Sequence, residues 1–195
     1  MQIESLKSEK ENEINGPLIL NPNIFSDNRG FFFESWNEKI FNDIVSREVT
    51  FVQDNHSLSF QGVLRGLHFQ KGTNAQGKLI RVISGTILDV IVDLRSNSNT
   101  FKEWTSIVLS SKNRMQLWVP EGFAHGFITL TKTAEINYKI TKFWNKESER
   151  TIIWNDKNLS INWRLEDLKI KSPIVSEKDS RGKTLKYLYD KGDLF

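Results

Sequence analysis

The stretch GKLIRVISGTILDVIVDLR, residues 77–95, decides the fold. It holds two short runs of branched aliphatic residues parted by Ser84–Gly85, a pattern of consecutive strands with a turn between them. Strand side chains alternate between faces, so Leu88, Val90, Val92 and Leu94 share one side of the second strand. Asp89, Ile91 and Asp93 fall on the other. A face carrying carboxylates is either solvated or lines a polar cavity.

The same texture continues outward. WTSIVLS (104–110), NRMQLWVP (113–120), HGFITLT (125–131) and AEINYKITKFW (134–144) are short, rich in β-branched and aromatic residues, and bounded by Gly, Asn, Ser or Pro. Regular spacing of this kind predicts an all-β sandwich or barrel with a few short helices. Helical spacing occurs only in WNEKIFNDIV (36–45) and LEDLKIK (165–171). In AEINYKI, Ala134, Ile136, Tyr138 and Ile140 share a face, which predicts an inward Tyr138.

The 195 residues, 38% of them hydrophobic, suffice for one domain spanning 1–195. Residues 1–12 are charged and free of aromatics and read as a frayed lead, while residues 165–195 read as an irregular tail that packs on the β core. The absence of cysteine excludes disulfides, cysteine-ligated zinc and thiol catalysis. No apolar run reaches the length of a membrane span, and the N-terminus has no signal-peptide core, so a cytoplasmic protein is expected. A net charge of +3 with interspersed signs argues against nucleic acid and suits a small anion met by a few placed Arg and Lys residues.

GVLRGLHFQ (62–70) places Arg65 and His68 in a strand otherwise built for burial. Burial penalises both groups unless they are paired or face a cavity. Their parity is opposite unless a bulge intervenes, and Gly66 stands where one would form. HFQ (68–70) together with PEGFAHGF (120–127) suggests a cupin, but Gln70 occupies the place of a second metal-binding histidine. His68 and His125 alone make a poor ligand set, which favours a cavity without metal.

RGLHFQ (65–70), AQGKLIRVISGTILDVIVDLR (75–95), LWVPEGFAHGF (117–127), AEINYKITKFW (134–144), ERTIIWND (149–156) and SEKD (176–179) resemble the dTDP-4-dehydrorhamnose 3,5-epimerases, in family order from about Phe25 to Asp179. The resemblance implies a cupin-type jelly roll that forms a homodimer and acts, without metal or other cofactor, on a dTDP-linked 4-keto-6-deoxy sugar. It makes His68 the base, Asp179 its orienting partner and Tyr138 the acid on the opposite face. Lys78 and Arg65 become the groups that stabilise the enolate oxygen and hold the sugar or its phosphate. It assigns substrate binding to Arg29, Glu34, Gln53, Asn55, His125, Glu149 and Lys178, and a thymine-stacking role to Trp144. Asp89 is the expected partner of His125. Phe69, Phe143 and Trp144 depart from the family pattern.

Without that resemblance, Tyr138 reads as a core tyrosine, Asp179 as a capping residue, and FFFES (31–35) as an edge strand with buried phenylalanines. Three other functions stand as alternatives: inversion of a single carbon, binding of a nucleotide sugar without catalysis, and a metal-dependent cupin oxygenase. The second leaves an opposed acid and base without a role, and the third requires a bound transition metal.

Overall fold

The computed structural model describes residues 1–195. The chain runs through β1 (Gln2–Lys7), β2 (Glu13–Asn21), β3 (Phe25–Asp27), β4 (Gly30–Phe32), α1 (Glu38–Val45), β5 (Gln53–Phe60) and β6 (Leu64–Gln70). After a short 3-10 turn come β7 (Lys78–Ser84), β8 (Thr86–Asp93), β9 (Trp104–Ser110), β10 (Gln116–Val119), β11 (Phe123–Thr129) and β12 (Thr133–Ile140). The chain ends with β13 (Glu149–Thr151), α2 (Glu177–Ser180) and α3 (Leu185–Asp190).

Two antiparallel sheets carry the molecule. One has the order β1-β2-β10-β7-β12-β5 and the other β13-β6-β11-β8-β9, while β3 and β4 form a separate hairpin. From β5 onward every connection but β8–β9 crosses from one sheet to the other, as a jelly roll requires. Between the sheets lie Ile14, Ile19, Ile80, Ile91, Leu117, Phe127 and Ile136, with Tyr138 packed against them. On the outer side of the five-stranded sheet, Leu88, Val90, Val92 and Leu94 meet Leu185 and Leu188 of α3. β8 is therefore buried on both faces, and its odd-numbered residues point between the sheets. The carboxylate face is thus an interior one: Asp89 lies inside the sandwich, and Asp93 is closed off by Arg95, Ser98 and Thr100 at 2.6–2.9 Å.

α1 begins where Asn37 accepts the Ile40 N–H at 3.1 Å and ends at Ser46 in the left-handed region, φ 52°. Its apolar side seats Phe41 against Trp118, ring centroids 5.1 Å apart, on the outer face of the six-stranded sheet.

Three expectations change. The charged lead forms β1, because its backbone pairs along β2 and Leu6 is buried in the inner core. LEDLKIK makes turns instead of a helix, since Lys169 adopts φ 55° and ends the run. The phenylalanines of FFFES are not buried: Phe31 and Phe32 are 55% and 69% exposed, because their hairpin stands off both sheets. The tail packs on the five-stranded sheet and contributes α2 and α3.

Candidate active site

A cavity of about 500 Å³ opens between the sheets, lined by Arg65, His68, Lys78, His125, Tyr138 and Asp179 among others. A second lobe of about 310 Å³ shares His68, Lys78, Tyr138 and Glu149 with it and adds Gln53, Asn55 and Trp144. The two form one cleft running from the sandwich interior to Trp144, which is 58% exposed at its mouth. A larger surface hollow, about 740 Å³, is made by residues 154–167 alone and holds none of the expected residues.

β6 supplies Arg65 and His68 through the bulge anticipated at Gly66. His125 pairs with His68 and Phe127 with Arg65, so two steps along β11 match three along β6. The extra residue turns Arg65 to the cavity side that His68 already faces. Gly66 has φ 133°, and a Cβ there would stand 2.5 Å from Gly126 Cα and 2.9 Å from the His125 carbonyl oxygen. Only glycine fits. Arg65 Nε donates to Ser59 Oγ at 3.0 Å, which holds the guanidinium at the rim.

His68 Nε2 donates to Asp179 Oδ1 at 2.5 Å. Asp179 is buried on α2, where Ser176 Oγ accepts its backbone N–H at 3.1 Å and opens the helix. Its second oxygen accepts the Gly66 N–H at 3.4 Å. Burial raises the Asp179 pKa, but the His68 hydrogen bond and charge, the Gly66 N–H and Lys178 outweigh it, so the carboxyl stays below its usual range. Burial lowers the His68 pKa, with Lys178 and Lys78 adding to it and Asp179 opposing. His68 is therefore neutral near pH 7. With its proton on Nε2, the lone pair lies on Nδ1.

Tyr138 reaches the same cavity from β12 of the opposite sheet. Burial raises its pKa, and Glu149 adds while Arg65 opposes, so the phenol keeps its proton. Lys78 Nζ donates to the His68 carbonyl oxygen at 3.4 Å. Burial brings its pKa down to about 8 against the charges of Asp89 and Glu149. His125 Nε2 donates to Asp89 Oδ2 at 3.0 Å, with Oδ1 at 2.9 Å, and Asp89 is fully buried. Lys178 Nζ donates to Glu149 Oε1 at 2.9 Å across the mouth.

The chain thus gathers eleven of the thirteen expected residues around one cleft: His68, Tyr138, Asp179, Lys78, Arg65, His125, Glu149 and Lys178 about the inner lobe, and Gln53, Asn55 and Trp144 about the outer. Arg29 and Glu34 are the exceptions. Arg29 lies beside the β3–β4 hairpin, paired with Asp27 at 2.6 Å and lining a separate hollow, and Glu34 accepts from Asn37 at the start of α1. The hairpin is anchored near β10, where the Arg114 guanidinium lies 4.0 Å over the Phe31 ring, several strands from β5. Sequence reasoning passed over Ser59 and the cavity walls Ile80 and Phe127, whereas alternation places Ile136, a third wall, on the face of Tyr138.

Gln70 is buried and structural: its amide bonds the Asn74 and Phe143 carbonyls and the Asn145 N–H at 2.7–3.2 Å. No three His, Asp or Glu side chains converge as a metal-ligand set. A base on one sheet, an acid on the other and cations between them can move a proton across the plane of a bound molecule.

Comparison with known proteins points the same way. The family model of dTDP-4-dehydrorhamnose 3,5-epimerase matches residues 11–187. The Salmonella typhimurium enzyme of that name is 53% identical over 163 residues, 84% of this chain and 87% of its own. The Legionella pneumophila 3,5-epimerase, solved in complex with dTDP-4-keto-L-rhamnose, superimposes with a TM-score of 0.88 at 39% identity, covering 99% of this chain and 97% of its own. A 3'-monoepimerase from Streptomyces bikiniensis in complex with dTDP-quinovose has a TM-score of 0.85 at 27% identity, covering 92% and 88%.

Proposed function

The chain belongs to the dTDP-4-dehydrorhamnose 3,5-epimerase family, and from that premise we propose that it inverts C3 and C5 of dTDP-4-dehydro-6-deoxy-D-glucose to give dTDP-4-dehydro-L-rhamnose. The observation that carries the reading is the opposition of His68 and Tyr138 across one cavity from facing sheets. Inversion needs a proton taken from one face of the sugar and returned to the other.

Neutral His68 takes the proton next to the C4 ketone through its free nitrogen, and ionised Asp179 stabilises the imidazolium that results. Charge then develops on the ketone oxygen as the enolate forms. Lys78, with Arg65 at the rim, meets that charge between the sheets, where a preorganised cation is worth more than in water. Tyr138 delivers a proton to the opposite face. His125, locked by Asp89, positions the ring hydroxyls. The same pair serves the second carbon after the ring turns.

The outer lobe takes the nucleotide. Trp144 offers a flat apolar face for thymine, Gln53 and Asn55 offer amides, and Lys178 with Arg65 faces the diphosphate. Arg29 and Glu34 reach a site only as part of a second copy, so the working unit is a homodimer in which each hairpin completes the partner's cleft. The exposure of Phe25, Phe31 and Phe32 on that hairpin supports this reading, as such a patch is stable when covered.

Turnover in deuterated water tests the reaction. NMR is expected to find deuterium at both C3 and C5 of a rhamno-configured product. Label and inversion at one carbon alone would overturn double epimerisation in favour of a monoepimerase, and equally fast exchange into the 4-keto sugar lacking its dTDP group would overturn the nucleotide-linked substrate.

A further inference from the structure

We propose that residues 192–195 form a positioning strap that fixes β6, and through it the His68 imidazole, against the cavity. This rests on His68 as the base. The strap lies beyond residue 187, where the match to the family model ends.

After α3 the chain turns back over the outer face of the five-stranded sheet. Asp193 Oδ1 accepts from Lys71 Nζ at 2.7 Å and from Arg150 Nη2 at 3.2 Å. Lys71 directly follows β6, and Arg150 is the middle residue of β13, paired with Phe69 of β6. One carboxylate therefore clamps both strands at the end that carries His68. Lys71 Nζ also donates to the Gly192 carbonyl oxygen at 3.0 Å. The Phe195 ring packs on Phe69 with centroids 5.8 Å apart, and the Phe195 carbonyl oxygen accepts the Ser96 N–H at 2.9 Å, just past the end of β8.

The need for such a clamp follows from the sheet. On its outer edge β6 has no full-length partner: the three-residue β13 covers His68 to Gln70, and isolated bonds to Ile152 and Ile174 hold the rest. On its inner edge it carries the bulge at Gly66, where the register with β11 shifts. Phe69 and His68 are neighbours on opposite faces, so seating the Phe69 ring behind the sheet sets how His68 stands in front of it. The ionic cluster is half-sheltered, each side chain keeping 26–28% of its surface, so Lys71 and Arg150 hold Asp193 ionised.

The test uses full-length Asp193→Asn, with Phe195→Leu as a second variant that keeps apolar volume, and Asp193→Glu as the rescue. Three quantities are read: solvent-deuterium exchange of the substrate's α-protons, dTDP affinity, and the NMR titration of the His68 imidazole, identified by its loss in His68→Asn. Asp179, Lys178 and Lys78, which face the ring, are unaltered in all of them. We expect exchange to fall about fivefold or more with dTDP affinity held within about twofold, since small misplacements of a reacting group cost rate before binding. The His68 midpoint should rise as water reaches the ring, with Asp193→Glu restoring both the midpoint and the exchange rate. An unchanged His68 midpoint and exchange rate, with only a lower Tm, would overturn the strap as a positioning device. So would an equal loss of dTDP affinity and exchange, which would mean that the strap shapes the pocket at large. Failure of the base assignment is read separately, as persistent exchange in His68→Asn; the His68 midpoint still decides the strap.

Discussion

His68 and Asp179 meet at 2.5 Å although 111 residues separate them in the chain. Because Asp179 is held ionised and His68 neutral, the pair is set to accept one proton on His68 and hold it there. His68→Asn is expected to lower turnover by about 10²–10⁴-fold, the usual contribution of a placed base. It should leave dTDP affinity close to wild type. Asp179→Asn removes the two influences that raise the His68 pKa, so the imidazole titration moves further down and kcat falls while KM changes little. Steady-state kinetics with imidazole NMR reads both, and near wild-type turnover in His68→Asn would remove it as the base.

Tyr138→Phe separates removal of the proton from its return. The ring and its packing against the inner core stay, and only the donor is lost. Deuterium exchange into substrate should survive at a reduced rate while net inversion falls much further. Equal loss of both, at unchanged Tm and dTDP affinity, would mean that Tyr138 is needed for abstraction itself.

Lys78 gives the site an alkaline limit. Its pKa is brought from 10.5 to about 8 by burial, so the cation proposed to meet the enolate is lost as pH rises through about 8. The rate should fall over that interval, and Lys78→Arg, charged throughout, should move the limb out of range. Stability runs the other way. Between about 8 and 10.5 the unfolded chain binds more protons than the folded one, so stability rises with pH there and the cost of the buried cation is fully felt below 8. Lys78→Met is expected to add about 1–3 kcal/mol at pH 7 while turnover is lost, a trade measured by denaturant melts beside kinetics.

Arg29 and His68 should complement each other between copies. Arg29→Ala and His68→Asn are each expected to be poorly active alone. Refolded together in equal amounts, half of the dimers are mixed and half of their sites hold an intact His68 and an intact partner Arg29, so about a quarter of the activity returns. A mixture no more active than its parts, or a fully active monomer in sedimentation, would count against a shared site.

The strands were legible because the physics that sets them is local. Branched residues at period two, ended by turn formers, read correctly from β7 through β12, and Gly66 could be singled out because a bulge was the one way to bring Arg65 and His68 to one side. Local pattern failed where the outcome depended on a distant partner. The charged lead looked unable to bury anything, yet β2 offered it a backbone to pair with, and Leu6 then found the core. The phenylalanines of the hairpin looked like core residues, but the two sheets close without them.

For the site, the sequence by itself determined which groups are present: an imidazole and a guanidinium within one strand, an inward phenol on another, and no thiol. Only tertiary structure decided that they line one cavity. His68 and Tyr138 face each other because β6 and β12 belong to opposite sheets, and sheet membership is set by how the whole chain pairs. Asp179 becomes a counter-ion because a Ser176 cap starts a single helical turn that is docked against β6. Alternation and turn chemistry act over a few residues, so they are written in the sequence, whereas the field that keeps His68 neutral and lowers Lys78 arises from burial, which exists only after the sandwich has closed.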